Sequence, residues 1–189
     1  MKTKTDIDTF DGEELLALAQ LSFERKDLEG ALLKLKGIIE RADPPPEAVG
    51  LAARVYAQLR LFDKAETLFE RYLQANPKAL LEQFELGMTR FDAGKLNEAL
   101  HAWDVLLKEQ PIHPPAMFYK ALLLARMGKP AEAKKILEQL LKTVPVDNLY
   151  FGRGKELLQS IESGANPEQA SAKKVDGRIV PPDPYRTEH

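Results

Sequence analysis

Small and apolar residues recur along most of the chain at the spacing of amphipathic helices, and these helices come in pairs separated by short polar breaks. In the first helix they fall at i, i+3, i+4 and i+7 and so share one helical face, at Leu15, Leu18, Ala19 and Ser22. The polar residues 25–27 then predict a turn, and residues 28–41 predict a second helix. Three prolines at 44–46 end that helix, because proline lacks an amide donor and restricts the residue before it.

The helix pair recurs every 34 residues. Two sets of small residues, one set of large apolar residues and one set of prolines all follow that period. The four sets are Ala19, Ala53, Gly87 and Ala121; Ala31, Ala65, Ala99 and Ala133; Leu35, Phe69, Trp103 and Leu137; and Pro77, Pro111 and Pro145. Their coincidence predicts four copies of one helix-turn-helix unit, at 12–45, 46–79, 80–113 and 114–147.

A repeat of this length, with small, small, bulky and proline positions in that order, resembles the tetratricopeptide repeat (TPR). The resemblance covers about residues 12–145 and implies an all-α fold, a right-handed α-solenoid of four TPR helix-turn-helix repeats. Two charged residues are among the departures from the family pattern. Arg90 stands where the family usually has tyrosine, and Lys120 stands where it has leucine.

The segments that flank the repeats complete the predicted organisation. Residues 148–163 keep helical spacing and predict a polar C-terminal capping helix, so that the TPR domain spans 12–163, although Gly152 and Gly154 weaken its first turn. Residues 1–11 are expected to form a flexible lead-in that ends in a helix cap. Asp11 and Glu14 have the spacing of a capping box.

Residues 164–189 are rich in Ala, Ser, Gln, Lys and Pro, which predicts a disordered C-terminal tail. The tail contains one apolar island, formed by Ile179, Val180 and Tyr185. Two interpretations remain open, a solvated tail and a segment that docks as an extended peptide.

Composition and charge exclude several classes of function. The net charge is −2 with both signs mixed along the chain, so no basic face indicates a nucleic-acid partner. No apolar run reaches the roughly 18 residues of a membrane-spanning helix. The absence of cysteine excludes disulfides and thiolate metal sites. Asp6 and Asp8 interrupt the region where a signal peptide needs an apolar core, so the expected location is the cytoplasm.

No pattern of catalytic residues emerges from the sequence. The three histidines are His101, His113 and His189, and no nucleophile elbow, P-loop, HExxH or EF-hand spacing occurs. The expectation is therefore a protein that is not an enzyme and has no metal and no cofactor.

The TPR resemblance also implies which residues face a partner, since the first helix of each repeat lines the concave groove of such domains. Repeat positions 2, 5, 9, 12 and 13 point into that groove. The candidate partner-binding residues chosen from those positions are Arg54, Gln58, Leu81, Phe84, Met88, Phe91, Phe118, Leu122 and Arg126. The four apolar ones in the third repeat form a stripe at i, i+3, i+7 and i+10, which indicates either a ligand contact or packing against the neighbouring repeat.

One familiar TPR function does not fit. The chaperone-binding subclass grips a terminal carboxylate with Lys, Asn and Arg side chains. At the corresponding positions this sequence has Leu16, Gln20, Leu51, Leu81 and Glu85. A carboxylate clamp is therefore not expected.

The sequence thus predicts a non-catalytic protein–protein interaction module, an adaptor or scaffold that binds an apolar peptide or helix in its groove. Two alternatives stay open. One is a cytosolic secretion chaperone of the type III class II kind, which this chain resembles in size and helix order. The other is a structural TPR protein that assembles with copies of itself into a homo-oligomer.

Overall fold

The computed structural model describes residues 10–165, 173–175 and 178–180. Residues 12–163 fold into helices joined by short turns, and two short strands follow. The helices are α1 (Gly12–Glu24), α2 (Leu28–Ile39), α3 (Pro46–Gln58), α4 (Phe62–Ala75), α5 (Leu80–Asp92), α6 (Leu96–Glu109), α7 (Pro114–Arg126), α8 (Pro130–Thr143) and α9 (Leu149–Ser163). The strands are β1 (Lys173–Val175) and β2 (Arg178–Val180). The domain is an all-α helical repeat.

The helix starts follow the period found in the sequence. The first helices of the four pairs begin at Gly12, Pro46, Leu80 and Pro114, each 34 residues after the last. The second helices begin at Leu28, Phe62, Leu96 and Pro130, with the same spacing. Proline at the start of α3, α7 and α8 suits a position whose amide has no partner within the helix.

The turn between the two helices of each pair contains one residue in the left-handed conformation. These four residues also lie 34 positions apart: Lys26 (φ 61°), Arg60 (φ 59°), Gly94 (φ 77°) and Gly128 (φ 74°). Glycine adopts this conformation without a steric penalty, whereas a residue with a Cβ atom is strained by about 1–2 kcal/mol. The first two turns therefore carry a strain that the last two avoid.

Backbone contacts divide the chain into two units, 1–99 and 100–189, with the boundary inside α6. The core of the first unit follows the small and bulky positions predicted from the repeat. The fully buried members of those sets are Ala19, Ala31, Leu35, Ala53, Ala65, Phe69 and Ala99. Small residues allow the helix backbones to approach, and the bulky residue of the same repeat fills the space beside them.

The second unit is built around aromatic residues. Trp103, the largest fully buried side chain, has its ring centroid 6.1 Å from that of Tyr119 on α7. The ring of Phe118 lies 5.4 Å from Tyr119 and 5.7 Å from Tyr150, centroid to centroid, so it links α7 to α9. Such pairs stabilise a core beyond the area that they bury.

The capping helix contains both glycines that were expected to weaken it. Gly154 is buried, and a Cβ atom there would lie 3.0 Å from Leu140 Cδ2 and 3.8 Å from Leu137 Cδ2. The backbone of α9 therefore lies directly against leucines of α8. At Gly152 an added Cβ would meet nothing within 4 Å.

The capping box predicted at the start of α1 is confirmed. The Glu13 and Glu14 amides each donate to Asp11 Oδ1 over 2.9 Å, and the Asp11 amide donates to Glu14 Oε2 over 3.0 Å. The preceding residues of the predicted lead-in, 1–9, lie outside the described residues.

In the C-terminal segment, β1 and β2 form an antiparallel pair that aligns Lys173 with Val180 and Val175 with Arg178. An isolated pair of strands is marginally stable in water. The other residues after 165, including Tyr185 of the apolar island, lie outside the described residues. The disordered tail thus stays a prediction.

Candidate partner-binding surface

The apolar stripe predicted on α5 is divided between surface and core. Leu81 is 49% exposed and Phe91 is half-buried, whereas Phe84 and Met88 are only 5% and 2% exposed. A buried side chain offers little surface to a ligand. The burial of Phe84 and Met88 therefore favours the packing alternative for the centre of the stripe, and the contact alternative remains for its two ends.

The candidates on α7 divide in the same way. Phe118 and Leu122 are buried, and Phe118 stacks within the aromatic cluster of the second unit. Arg126, at the end of α7, is exposed. Burial favours a packing role for the two apolar residues, whereas Arg126 has exposed surface that a partner can reach.

On α3, Arg54 lies against two carboxylates of α5. Its Nη1 atom is 3.5 Å from Glu82 Oε1 and 3.5 Å from Glu85 Oε2. The guanidinium side chain is partly exposed, and the two glutamates are almost fully buried. Gln58, one turn further along α3, has its Nε2 atom buried without a hydrogen-bond partner among the described residues. Arg54, a candidate partner-binding residue, thus also takes part in an ion-pair cluster with α5.

Gly50 makes room for the cluster. A Cβ atom at Gly50 would lie 3.4 Å from the Tyr72 ring and 3.8 Å from Glu82 Oε1. Tyr72 of α4 and Glu82 of α5 therefore approach the backbone of α3 closely. Burial raises the pKa of Tyr72, and the negative charges of Glu82 and Glu47 raise it further.

The electrostatics of the cluster centre on Glu85. Burial raises the pKa of Glu85 to about 7, the Arg54 guanidinium opposes this rise, and the charge of Glu82 adds to it. The sequence pattern did not single out Glu82 or Glu85 as a pair. The only signal in the sequence was that Glu85 lies between Phe84 of the apolar stripe and Gly87 of the small positions.

A second polar network explains why Arg90 departs from the family pattern. Its Nε and Nη2 atoms each donate over 2.7 Å, to Glu66 and Glu70 of α4 respectively. Lys95 in the following turn donates to the other Glu66 oxygen over 2.7 Å. Although partial burial opposes it, these hydrogen bonds hold the pKa of Glu66 below its ordinary value. Arg90 thus joins α5 to α4 through charge.

Lys120, the other charged departure from the family pattern, also forms an ion pair, in this case within the second unit. Lys120 of α7 forms an ion pair with Asp104 of α6, with 2.5 Å between Nζ and Oδ1. Both side chains keep some contact with solvent, so the pair is worth less than a buried one.

Groups for metal chemistry do not assemble in the part of the chain that the structure describes. No three His, Asp or Glu side chains come together there as metal ligands. None of the helices in that part is long and apolar enough to cross a lipid bilayer.

Two family models match the chain. Residues 16–79 match the model described as a tetratricopeptide repeat, and residues 88–161 match the model of the N-terminal TPR repeats region of Psidin. The chain belongs to the tetratricopeptide repeat family. No curated protein shows significant sequence similarity to it over its length.

Solved TPR structures share the fold. A TPR protein from Parabacteroides merdae is 19% identical with a TM-score of 0.70, over 84% of this chain and 63% of that one. A thermophilic TPR protein from Thermus thermophilus is 18% identical, with a TM-score of 0.62 and coverage of 85% and 86%. The structure of MamA from Desulfovibrio magneticus that starts at its residue 41 is 14% identical, with a TM-score of 0.66, over 70% of this chain and 75% of that one.

At these identities the similarity concerns the fold, which is that of an α-solenoid. TPR proteins are in general scaffolds for interactions with other proteins, and in general they are not catalysts. This chain is a helical-repeat scaffold of that class.

Proposed function

We propose that the chain is a non-catalytic adaptor in which the first helices of the first three repeats bind an apolar peptide or helix of a partner protein. The observation that supports this proposal is the exposure of Leu81, together with the half-exposure of Phe91, on one face of α5. Arg54, whose guanidinium retains contact with solvent, supplies a polar contact on α3.

The spacing of the two apolar residues suits a polypeptide that runs along α5. Ten residues of helix separate them, a distance of about 15 Å along the axis. An extended peptide spans that length with about five residues, and a helix spans it with about three turns. Either kind of segment contacts both side chains.

The energetics require further contacts beyond α5. Full burial of a Leu or Phe side chain contributes about 1.5–3 kcal/mol, and these two are already partly buried. Together they supply about 2–3 kcal/mol, well short of the ~8 kcal/mol of a micromolar complex. The partner must therefore also contact α1, where Leu16 and Phe23 are half-buried at the repeat positions of Phe84 and Phe91.

The test compares apolar residues on the first helix of a repeat with an exposed leucine on a second helix. Glutamate at both Leu81 and Phe91 should abolish capture of a partner from the native lysate. Leu33→Glu is the matched control, because Leu33 is 50% exposed and lies on a second helix, α2. Phe84 is unsuitable as a target, since a buried glutamate there would unfold the repeat. Equal capture by the two variants, both folded by circular dichroism, would refute the proposal.

Self-assembly is the second candidate function. Val146 is 78% exposed and Leu149 is 44% exposed, and they lie three positions apart in the sequence between the end of α8 and the start of α9. Contiguous exposed apolar patches are a common feature of protein interfaces. Light scattering at several concentrations tests this candidate, because self-assembly through these residues requires a mass that rises with concentration and stays constant in Val146→Asp.

The secretion-chaperone role and the cytoplasmic location remain proposals of narrower scope. Capture of a hydrophobic translocator that is lost with Leu81→Glu and Phe91→Glu would support the chaperone role. Capture of soluble enzymes or receptors alone would favour the general adaptor.

A further inference from the structure

The charged cluster between α3 and α5 contains two carboxylates and one cation, and no neighbouring side chain among the described residues supplies a second positive charge. Two carboxylates, of Glu82 and Glu85, face the same Nη1 atom of Arg54 at 3.5 Å. One guanidinium carries one positive charge and neutralises only one of the two carboxylates. The remaining negative charge belongs to a residue that is at most 9% exposed.

The other ionisable groups near the cluster do not supply a second cation. Tyr72 of α4 and Glu47 of α3 interact electrostatically with each other, and Tyr72 also interacts with Glu82 and Arg54. Arg90, also on α5, is directed to Glu66 and Glu70 of α4. The groups that act on Glu85 itself are Arg54 and Glu82.

A buried charge without a full partner is strongly unfavourable, and the group avoids this by taking up a proton. We propose that Arg54, Glu82 and Glu85 form a proton-operated clamp, in which protonation of Glu85 tightens the contact of α3 with α5 and deprotonation loosens it. The clamp shares Arg54, α3 and α5 with the proposed binding surface, but it goes beyond the binding function and its tests need no partner.

The direction of the pH effect follows from the raised pKa of Glu85. The folded protein holds the proton up to about pH 7, whereas the unfolded chain releases it near the ordinary value of 4.5. The proton on Glu85 stabilises the fold fully when the pH is below 4.5, the ordinary pKa of glutamate. This stabilisation is lost as the pH rises through about 7, the pKa of Glu85 in the folded protein. Acidification from mildly alkaline to mildly acidic conditions therefore tightens the first unit.

An NMR titration of the unmodified full-length chain tests the proposal without a mutation. The side-chain carboxyl carbon of Glu85 should titrate with a midpoint near 7, far above that of the exposed glutamates. Its resonance is assigned by its absence in Glu85→Gln. A midpoint at or below the ordinary range of glutamate would overturn the proposal.

Amide hydrogen exchange measures the clamp itself. With the two pKa values above, protection of the amides of α3 and α5 should fall about tenfold between about pH 6 and about pH 8.5, after correction for the intrinsic rate. The amides of α9 serve as an internal control. In Glu85→Gln this pH dependence should vanish, and an identical pH dependence in that variant and the unmodified protein would refute the clamp.

Two further variants predict opposite shifts and so test the assignment of roles. Glu82→Gln removes a like charge, so the midpoint of Glu85 should move to lower pH. Arg54→Gln removes the cation, so the midpoint should move to higher pH. Shifts of the same sign in both variants would contradict the arrangement of one cation between two carboxylates. If Arg54→Gln does not fold, Glu82→Gln and the titration of the unmodified chain still decide.

Discussion

Lys26 and Arg60 lie one repeat apart and share a left-handed backbone conformation, with φ angles of 61° and 59°. The corresponding turns of the third and fourth repeats have Gly94 and Gly128. The repeat thus demands one conformation at this position, and only half of its copies have the residue that adopts it freely.

Replacing Lys26 with glycine should therefore stabilise the protein. Relief of strain of about 1–2 kcal/mol is partly offset by the greater freedom of glycine in the unfolded chain, leaving a gain of about 0.5–1 kcal/mol. In Arg60→Gly the same relief of strain is reduced by the loss of a contact, because the Arg60 guanidinium lies 5.4 Å from the centre of the Phe62 ring. Denaturant midpoints measure both, and destabilisation by Lys26→Gly would contradict the prediction.

The reverse substitution supplies the control for these turns. Gly94→Ala places a Cβ atom at φ 77° and should destabilise by about 1 kcal/mol, although no atom within 4 Å would obstruct it. A neutral effect there would mean that the backbone of the turn relaxes, and the gain expected at Lys26 would disappear with it.

The two glycines of α9 should respond in opposite ways. Gly152→Ala adds a methyl group into open space and should stabilise the helix by about 0.5–1 kcal/mol. Gly154→Val forces a branched side chain against Leu140 and Leu137, with an expected cost of about 1–3 kcal/mol. Thermal unfolding of the two variants beside the unmodified chain measures the difference. Equal effects would mean that α9 is not packed against α8 as described.

Arg90 should stabilise this protein more than the tyrosine that the family usually has at its position. Arg90→Tyr restores the family residue but leaves Glu66 with Lys95 alone and removes the contact of Arg90 with Glu70. Because the Glu66 side chain is only 16% exposed, we expect a loss of about 1–3 kcal/mol. Because the pKa of Glu66 is lowered in the folded protein, Glu66 contributes fully to stability when the pH is above the ordinary pKa of glutamate. That contribution is lost as the pH falls through the lowered pKa. Urea denaturation at neutral and acidic pH checks both statements, and Arg90→Lys separates charge from geometry.

The sequence predicted the period and the pairing of helices, because small residues at close crossings and prolines at helix ends act locally. It did not predict that the apolar stripe of α5 is divided between exposed ends and a buried centre, since the exposure of Phe84 and Met88 depends on what packs over them. The link between Arg54 and Glu85 was also missed, because the two residues are 31 positions apart and meet only when α3 lies against α5. Strain at Lys26 and Arg60 escaped notice because no glycine marks those turns.

His113 provides a pH response of opposite sign to that of Glu85. Its Nδ1 atom accepts a hydrogen bond over 3.2 Å from the amide of Ala116 and so caps the start of α7. A protonated imidazole has no acceptor on that nitrogen. Burial lowers the pKa of His113 below the ordinary histidine pKa of 6.5. The cap is therefore intact when the pH is above 6.5, and it is lost as the pH falls through the lowered pKa.

Acidification should therefore weaken the start of α7 by about 1 kcal/mol, the usual contribution of a helix cap. Global unfolding is a poor measure of this effect, because protonation of Glu85 stabilises the first unit over a neighbouring pH range. Exchange at the Ala116 and Met117 amides reports it locally. His113→Asn keeps a side chain that caps helices but does not titrate, so its protection should not change with pH. If the two proteins lose protection equally on acidification, another group controls the start of α7.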